Sequence, residues 1–142
     1  MTLYITDESS STDIQHQHYV RDNMVAFNLK HFPDTLKGRY QQLNLLLKDA
    51  GGNVLGGITG EICWNWLEVH YLFVEERLRK SGYGTQLLME IEKIAKEKQC
   101  DFIKLDTLSF QALYFYQKQG YEVFGMIENA GGHTHYYLKK NI

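Results

Sequence analysis

Apolar and polar positions change period several times along the chain, and each change marks an element. Residues 2–6 are β-branched and aromatic and predict a short first strand, with a polar turn over residues 7–11. The period then becomes helical: Val20, Met24 and Phe27 fall at i, i+4 and i+7. Thr12 or Asp13 can cap that helix. Pro33 ends it, because the residue before a proline is pushed out of α conformation. The next stretch is extended. An apolar run at residues 43–47 closes in a turn-forming segment, residues 54–64 return as a second strand, and Asn65 breaks the chain. Residues 66–74 then predict a third long strand, completing an antiparallel meander. Gly56-Gly57 inside the return strand predicts a bulge or a close backbone approach.

Residues 85–99 carry the clearest amphipathic pattern. Leu87, Leu88, Ile91, Ile94 and Ala95 form one face, with Glu92, Lys93, Lys96, Glu97 and Lys98 on the other. Residues 102–107 predict a strand with Ile103 and Leu105 on one side. Residues 110–118 predict a second helix ended by Gly120. Residues 121–126 and 134–139 predict two final strands. Strand, helix and strand in succession predict a parallel pair within the sheet. The expected fold is therefore α/β of the mixed α+β kind, one domain over residues 1–142. Its core is a mostly antiparallel mixed sheet of six to seven strands with helices on both faces.

Composition narrows the partners. A chain of 142 residues, 44% hydrophobic and 23% charged, is ordinary globular material. A net charge of −2 calls for neither nucleic acid nor an anionic membrane. Cys63 and Cys100 are too few for a disulfide framework and predict reduced thiols. The first eight residues lack a basic segment followed by an apolar run, and no apolar run approaches the ~20 residues that span a bilayer. A cytoplasmic location is expected. His16 and His18 fall on different faces of a helix, and His133-x-His135 lacks a third ligand in sequence, so no metal is expected.

The candidate chemistry lies at residues 74–84, where the third strand runs through a basic, glycine-containing turn into the best helix. No Walker loop is present, and Leu87 stands where a dinucleotide fingerprint needs its third glycine. By spacing alone, Arg79-x-x-Gly82-x-Gly84 is either a solvated turn or a nest of backbone N–H groups for an anion.

At this point the sequence resembles the GNAT superfamily of N-acetyltransferases. Leu72-Phe73-Val74, then Arg79-Lys80-Ser81-Gly82-Tyr83-Gly84, then Thr85 onward matches its strand, Arg/Gln-x-x-Gly-x-Gly/Ala turn and helix. Ser109-Phe110-Gln111-Ala112 followed by Tyr116-Gln117-Lys118-Gln119-Gly120-Tyr121 matches a second family element, with Ser109 where asparagine is usual. Glu76 stands where proline is frequent. The match covers residue 43 to the C-terminus well, and the first ~40 residues by length and strand–helix pattern.

The resemblance implies a sheet splayed at its parallel pair and an acetyl-CoA-dependent transfer to a primary amine. A non-catalytic acyl-CoA-binding or sensing domain is the alternative on the same fold. It implies that the backbone of Leu72, Phe73 and Val74 bonds the pantetheine arm. Arg79, Lys80, Ser81, Gly82, Tyr83, Gly84 and Thr85 would hold the pyrophosphate, and Ser109 is a further cofactor candidate. Tyr116 falls at the position of the family's general acid and Glu68 at that of its general base, with Glu61 and His70 as competitors. A strand period of two puts Glu68, His70, Leu72 and Val74 on one face. Asn28, Trp64, Trp66, His70 and His133 are candidates for the acceptor pocket. Partners would be a coenzyme A thioester and a small-molecule or peptide amine. Family members are often dimers, so a homodimer is one expected assembly.

Overall fold

Alternating side chains set the meander. In β2 (Val54–Cys63), Ile58, Gly60 and Ile62 are buried while Thr59 and Glu61 between them are only partly covered, the period of a strand with one face in a core. A computed structural model describes all 142 residues and divides them into two compact units, Met1–Lys37 and Gly38–Ile142.

The first unit contains α1 (Gln15–Leu29). Asp13, one of the two predicted capping residues, accepts a 2.9 Å hydrogen bond from the Gln15 N–H at the start of the helix. The chain leaves α conformation ahead of Pro33, as expected. The predicted strand at residues 2–6 does not form. β-branched composition is only a weak preference, and a strand needs a partner to satisfy its backbone. His16 is a surface residue paired with Glu8 at 2.7 Å.

The second unit is a six-stranded mixed sheet in the order β1 (Tyr40–Lys48), β2, β3 (Trp66–Val74), β4 (Phe102–Leu108), β6 (His133–Asn141), β5 (Glu122–Ala130). β1, β2 and β3 form the predicted meander. Gly56 serves close approach: a Cβ there would lie 2.6 Å from the Phe73 carbonyl oxygen. The meander has two bulges, and the first adjoins Gly56, because Leu47 pairs with Gly56 and Lys48 with Val54. The second is decisive, because Thr59 pairs with Tyr71 while Gly60 pairs with Val69. His70 is thus an extra residue on β3, which bends the strand and inverts the side-chain parity beyond it.

α2 (Tyr83–Glu97) buries Leu87, Leu88, Ile91 and Ala95, with the leucine and isoleucine side chains contributing about 1.5–3 kcal/mol each. It packs beneath β1, β2 and β3. β4 (Phe102–Leu108) follows, with Ile103, Leu105 and Thr107 buried. α3 (Leu113–Lys118) starts later than expected. Side chains replace its first turn: the Leu108 N–H donates to Gln111 Oε1 at 2.7 Å and the Ala112 N–H to Thr107 Oγ1 at 3.2 Å. α3 lies beside α2, joined by a 3.3 Å bond from Gln119 Nε2 to Thr85 Oγ1.

β5 (Glu122–Ala130) and β6 (His133–Asn141) are longer than predicted, because the hairpin continues to a turn at Gly131 and Gly132, both at positive φ. Leu138 of β6 is fully buried in the same core as α2 and α3. Cys63 and Cys100 are buried free thiols. No helix is long and apolar enough to cross a membrane.

Candidate active site

The sheet opens where β3 and β4 stop pairing. Their parallel register holds for Trp66, Leu67 and Glu68 against Phe102, Ile103 and Lys104, and ends there. Beyond that point β3 still pairs with β2 as far as Val74. Its other edge is therefore free of β4, leaving backbone N–H and C=O groups in need of partners. The bulge at His70 sits at the start of this split. A cleft of about 620 Å³ fills it, lined by His70, Tyr71, Leu72, Phe73, Val74, Arg79, Thr107, Phe110, Gln111, Ala112 and Tyr116.

The basic turn closes one end of the cleft. Arg79 Nε donates to the Val74 carbonyl at 2.9 Å, and its guanidinium lies 5.5 Å from the Phe73 ring centroid. Lys80 adopts φ 62° and is exposed. Gly82 is the N-cap of α2 at φ 89°, a conformation open to glycine and strained for other residues. No side chain caps the helix and its first turn has no acidic residue, so its leading N–H groups and the helix dipole are available to an anion. Ser81 Oγ turns back toward the Arg79 carbonyl at 3.5 Å. Tyr83 and Thr85 are partly buried, with Thr85 bound to α3. Gly84 differs from Gly82. A Cβ there would meet Phe115 of α3 at 3.6 Å, an ordinary contact, so the packing of α3 on α2 does not require glycine at this position.

Tyr116 is 6% exposed and lines the cleft from α3. Burial, with a smaller contribution from the negative charge of Asp106, pushes its phenol up to about 12. The hydroxyl therefore keeps its proton at neutral pH. Ser109, by contrast, is not among the residues lining the cleft. Its N–H donates to the Thr134 carbonyl at 2.8 Å and its Oγ accepts from the Thr134 N–H at 3.2 Å. Gln111 and Thr107 line the cleft near it. Neither was singled out in the sequence, although Gln111 stands inside the Ser109–Ala112 segment that was.

The bulge corrects one expectation. Leu72 and Val74 turn to the helix-covered face, whereas Glu68 and His70 share the opposite face with Tyr71 and Phe73. On that face Glu61 and Glu68 are directly opposed across β2 and β3. His70 Nε2 lies 3.7 Å from Glu61, and Lys104 Nζ lies 3.6 Å from Glu68. One ligand atom from each of Glu61, Glu68 and His70 falls within 4.8 Å of the others. Lys104 supplies counter-charge to Glu68, and the His70 ring lies beside Glu61. His70 is in the cleft lining, and Glu68 is not; it sits on the last paired rung, opposite Lys104.

Of the other acceptor-pocket candidates, His133 packs edge-on against Phe110 of the cleft at 4.6 Å. Trp64 and Trp66 pack on each other at 5.1 Å, and Trp66 stacks on Phe102 at 5.7 Å. Both tryptophans stand at the closed end of the β3–β4 pair, away from the split, where they pack the sheet. Asn28 belongs to the first unit, on α1.

The family model for the acetyltransferase (GNAT) family matches residues 12–121. The chain belongs to the GNAT acetyltransferase family. An acetyltransferase of Agrobacterium fabrum is 31% identical over 119 residues, covering 84% of this chain and 85% of its own length. A blasticidin-S acetyltransferase of Streptomyces morookaense is 34% identical over 93 residues, covering 64% of this chain and 68% of its own. Among solved structures, an acetyltransferase from Bacillus cereus superposes with a TM-score of 0.88 at 36% identity, over 99% of this chain and 98% of that one. The mixed sheet with a single parallel pair is thus the GNAT architecture.

Proposed function

We propose that this GNAT chain is an acetyl-CoA-dependent N-acetyltransferase that passes an acetyl group directly to a primary amine. The observation that carries the reading is the free edge of β3, bounded at one end by the uncapped start of α2 and on its flank by Tyr116. The pantetheine arm adds to the edge at Leu72–Val74 as a strand would. The N–H groups of residues 79–85 take the pyrophosphate, with Arg79 and Lys80 supplying positive charge.

In the transfer, the amine nitrogen attacks the thioester carbonyl and the carbon–sulfur bond breaks. Tyr116 gives its phenolic proton to the departing thiolate. The phenol holds its proton at neutral pH and lines the cleft, so it is available to donate. Glu68 takes the proton that the nitrogen gives up as the amide forms, directly or through a water. The acceptor is a small molecule or peptide amine. The blasticidin-S acetyltransferase among the relatives makes an amine-bearing small molecule a natural first probe.

The test is free-thiol release from acetyl-CoA over a panel of primary amines. Amine-dependent release above the hydrolytic background is expected. Binding of acetyl-CoA with no release would instead make the chain an acyl-CoA-binding domain, and no binding would contradict both readings.

A further inference from the structure

Glu68 stands on the β3 side of the split. On the β4 side is a second group of proton-handling side chains. Asp106 lies two residues past Lys104, the last β4 residue paired with β3, and immediately before Thr107 of the cleft wall. Its cross-strand partner on β6 is Tyr137, and His135 lies two residues from Tyr137 on the same face. His135 Nε2 is 2.6 Å from Asp106 Oδ2, and Tyr137 Oη is 3.3 Å from His135 Nδ1. The two rings lie 4.5 Å apart. From β5 the residue opposite His135 is the apolar Ile127, and Lys104 is two residues down β4 from Asp106. Asp106 is the charge paired with the imidazole.

An ionised carboxylate only accepts hydrogen bonds, so Asp106 fixes the proton of His135 on Nε2 and leaves the lone pair on Nδ1. The bond to that lone pair from Tyr137, at 3.3 Å, is long for an O–H donor. An aliphatic amine arrives as an ammonium ion and has two protons to lose. The first must leave before the nitrogen can attack, and the second leaves as the amide forms. A single carboxylate can receive only one of them.

Resting on the amine-transfer reading above, we infer that His135, held by Asp106, takes the first proton from the acceptor's ammonium group. The N–H bond of the ammonium breaks and a bond forms at His135 Nδ1. Asp106 stabilises the resulting imidazolium, and the neutral amine attacks. Glu68 then receives the second proton on the opposite side of the split. An imidazole backed by a carboxylate is the stronger base and suits the harder of the two removals. Tyr137 is a positioning residue, because it holds the ring's orientation until the acceptor arrives.

The experiment compares His135→Gln and Asp106→Asn with the wild-type chain, using acetyl-CoA and two acceptors near neutral pH. One is an aliphatic primary amine, protonated under these conditions, and the other is hydroxylamine, which is largely neutral. With the aliphatic amine, kcat/KM should fall about 10²- to 10⁴-fold and recover as pH rises. With hydroxylamine the first removal is already done, so the loss should be less than about tenfold. Added imidazole should restore part of the rate of His135→Ala. Equal losses with both acceptors, or no loss with either, would overturn the inference. If the wild-type chain releases thiol with neither acceptor, the acetyl-transfer reading fails separately. NMR of labelled imidazole nitrogens then decides the dyad. A single tautomer protonated on Nε2, released by Asp106→Asn, is expected, and protonation on Nδ1 would contradict it.

Discussion

Tyr116 could be singled out in the sequence because the GNAT resemblance carries a Tyr-x-x-x-Gly element that falls on residues 116–120. Its environment could not be read there, since three aromatic residues stand in a row and any of them could have packed. The structure buries Tyr116 and leaves Tyr114 exposed. Tyr116→Phe should lower kcat by about 10- to 10⁴-fold, with acetyl-CoA affinity nearly unchanged by calorimetry; wild-type turnover would refute the acid role. The two glycines of the turn also separate. Gly82→Ala forces a side chain into the left-handed region, at about 1–2 kcal/mol, and should weaken both helix start and acetyl-CoA binding. Gly84→Ala meets Phe115 at ordinary contact distance and should leave the melting temperature and acetyl-CoA affinity close to wild type. Comparable losses in the two variants would show that Gly84 also faces the anion. His70 marks the limit of residue-level reading. Period two assigned it the face of Leu72 and Val74, but a bulge is a property of two paired strands and cannot be read from one.

At the scale of elements, the hydrophobic periods located the meander, α2, β4 and the final hairpin, because each is written as a sustained pattern. The misses fall where tertiary partners decide. Residues 2–6 have strand composition without a strand beside them. The start of α3 is displaced by Gln111 and Thr107, whose side chains take over backbone N–H groups that a helix would leave open. The split between β3 and β4 was implied only through the family resemblance, since nothing in either strand's own pattern stops the pairing at Glu68. α2 joins core and site. Leu88 and Ile91 are fully buried beneath the meander, and the same helix presents its N-terminus to the cleft. Leu88→Ala should lower unfolding free energy by about 2–5 kcal/mol, measured as a lower urea midpoint with little change in slope.

Across the whole molecule, buried phenols link fold to pH. Burial pushes Tyr116 up to about 12, and Tyr121 is raised further by burial and by Glu92. In the unfolded chain these groups ionise at about pH 10. Above that value the native state binds more protons than the unfolded state, so stability falls as pH rises through the window and is complete below it. Thermal melts should show a flat response to neutral-range titration of these groups and a steep decline above about pH 10. An unchanged melting temperature there would mean that the phenols are solvated. The central claim is more local: the turn from Arg79 to Thr85 is the cradle of an acetyl-CoA pyrophosphate. The most direct measurement is a calorimetric titration of acetyl-CoA into the wild-type chain and into Gly82→Asp, with circular dichroism confirming that both are folded. The account predicts saturable binding to the wild type and none to the variant, where a carboxylate occupies the anion's place. Equal affinity in the two folded proteins would contradict it.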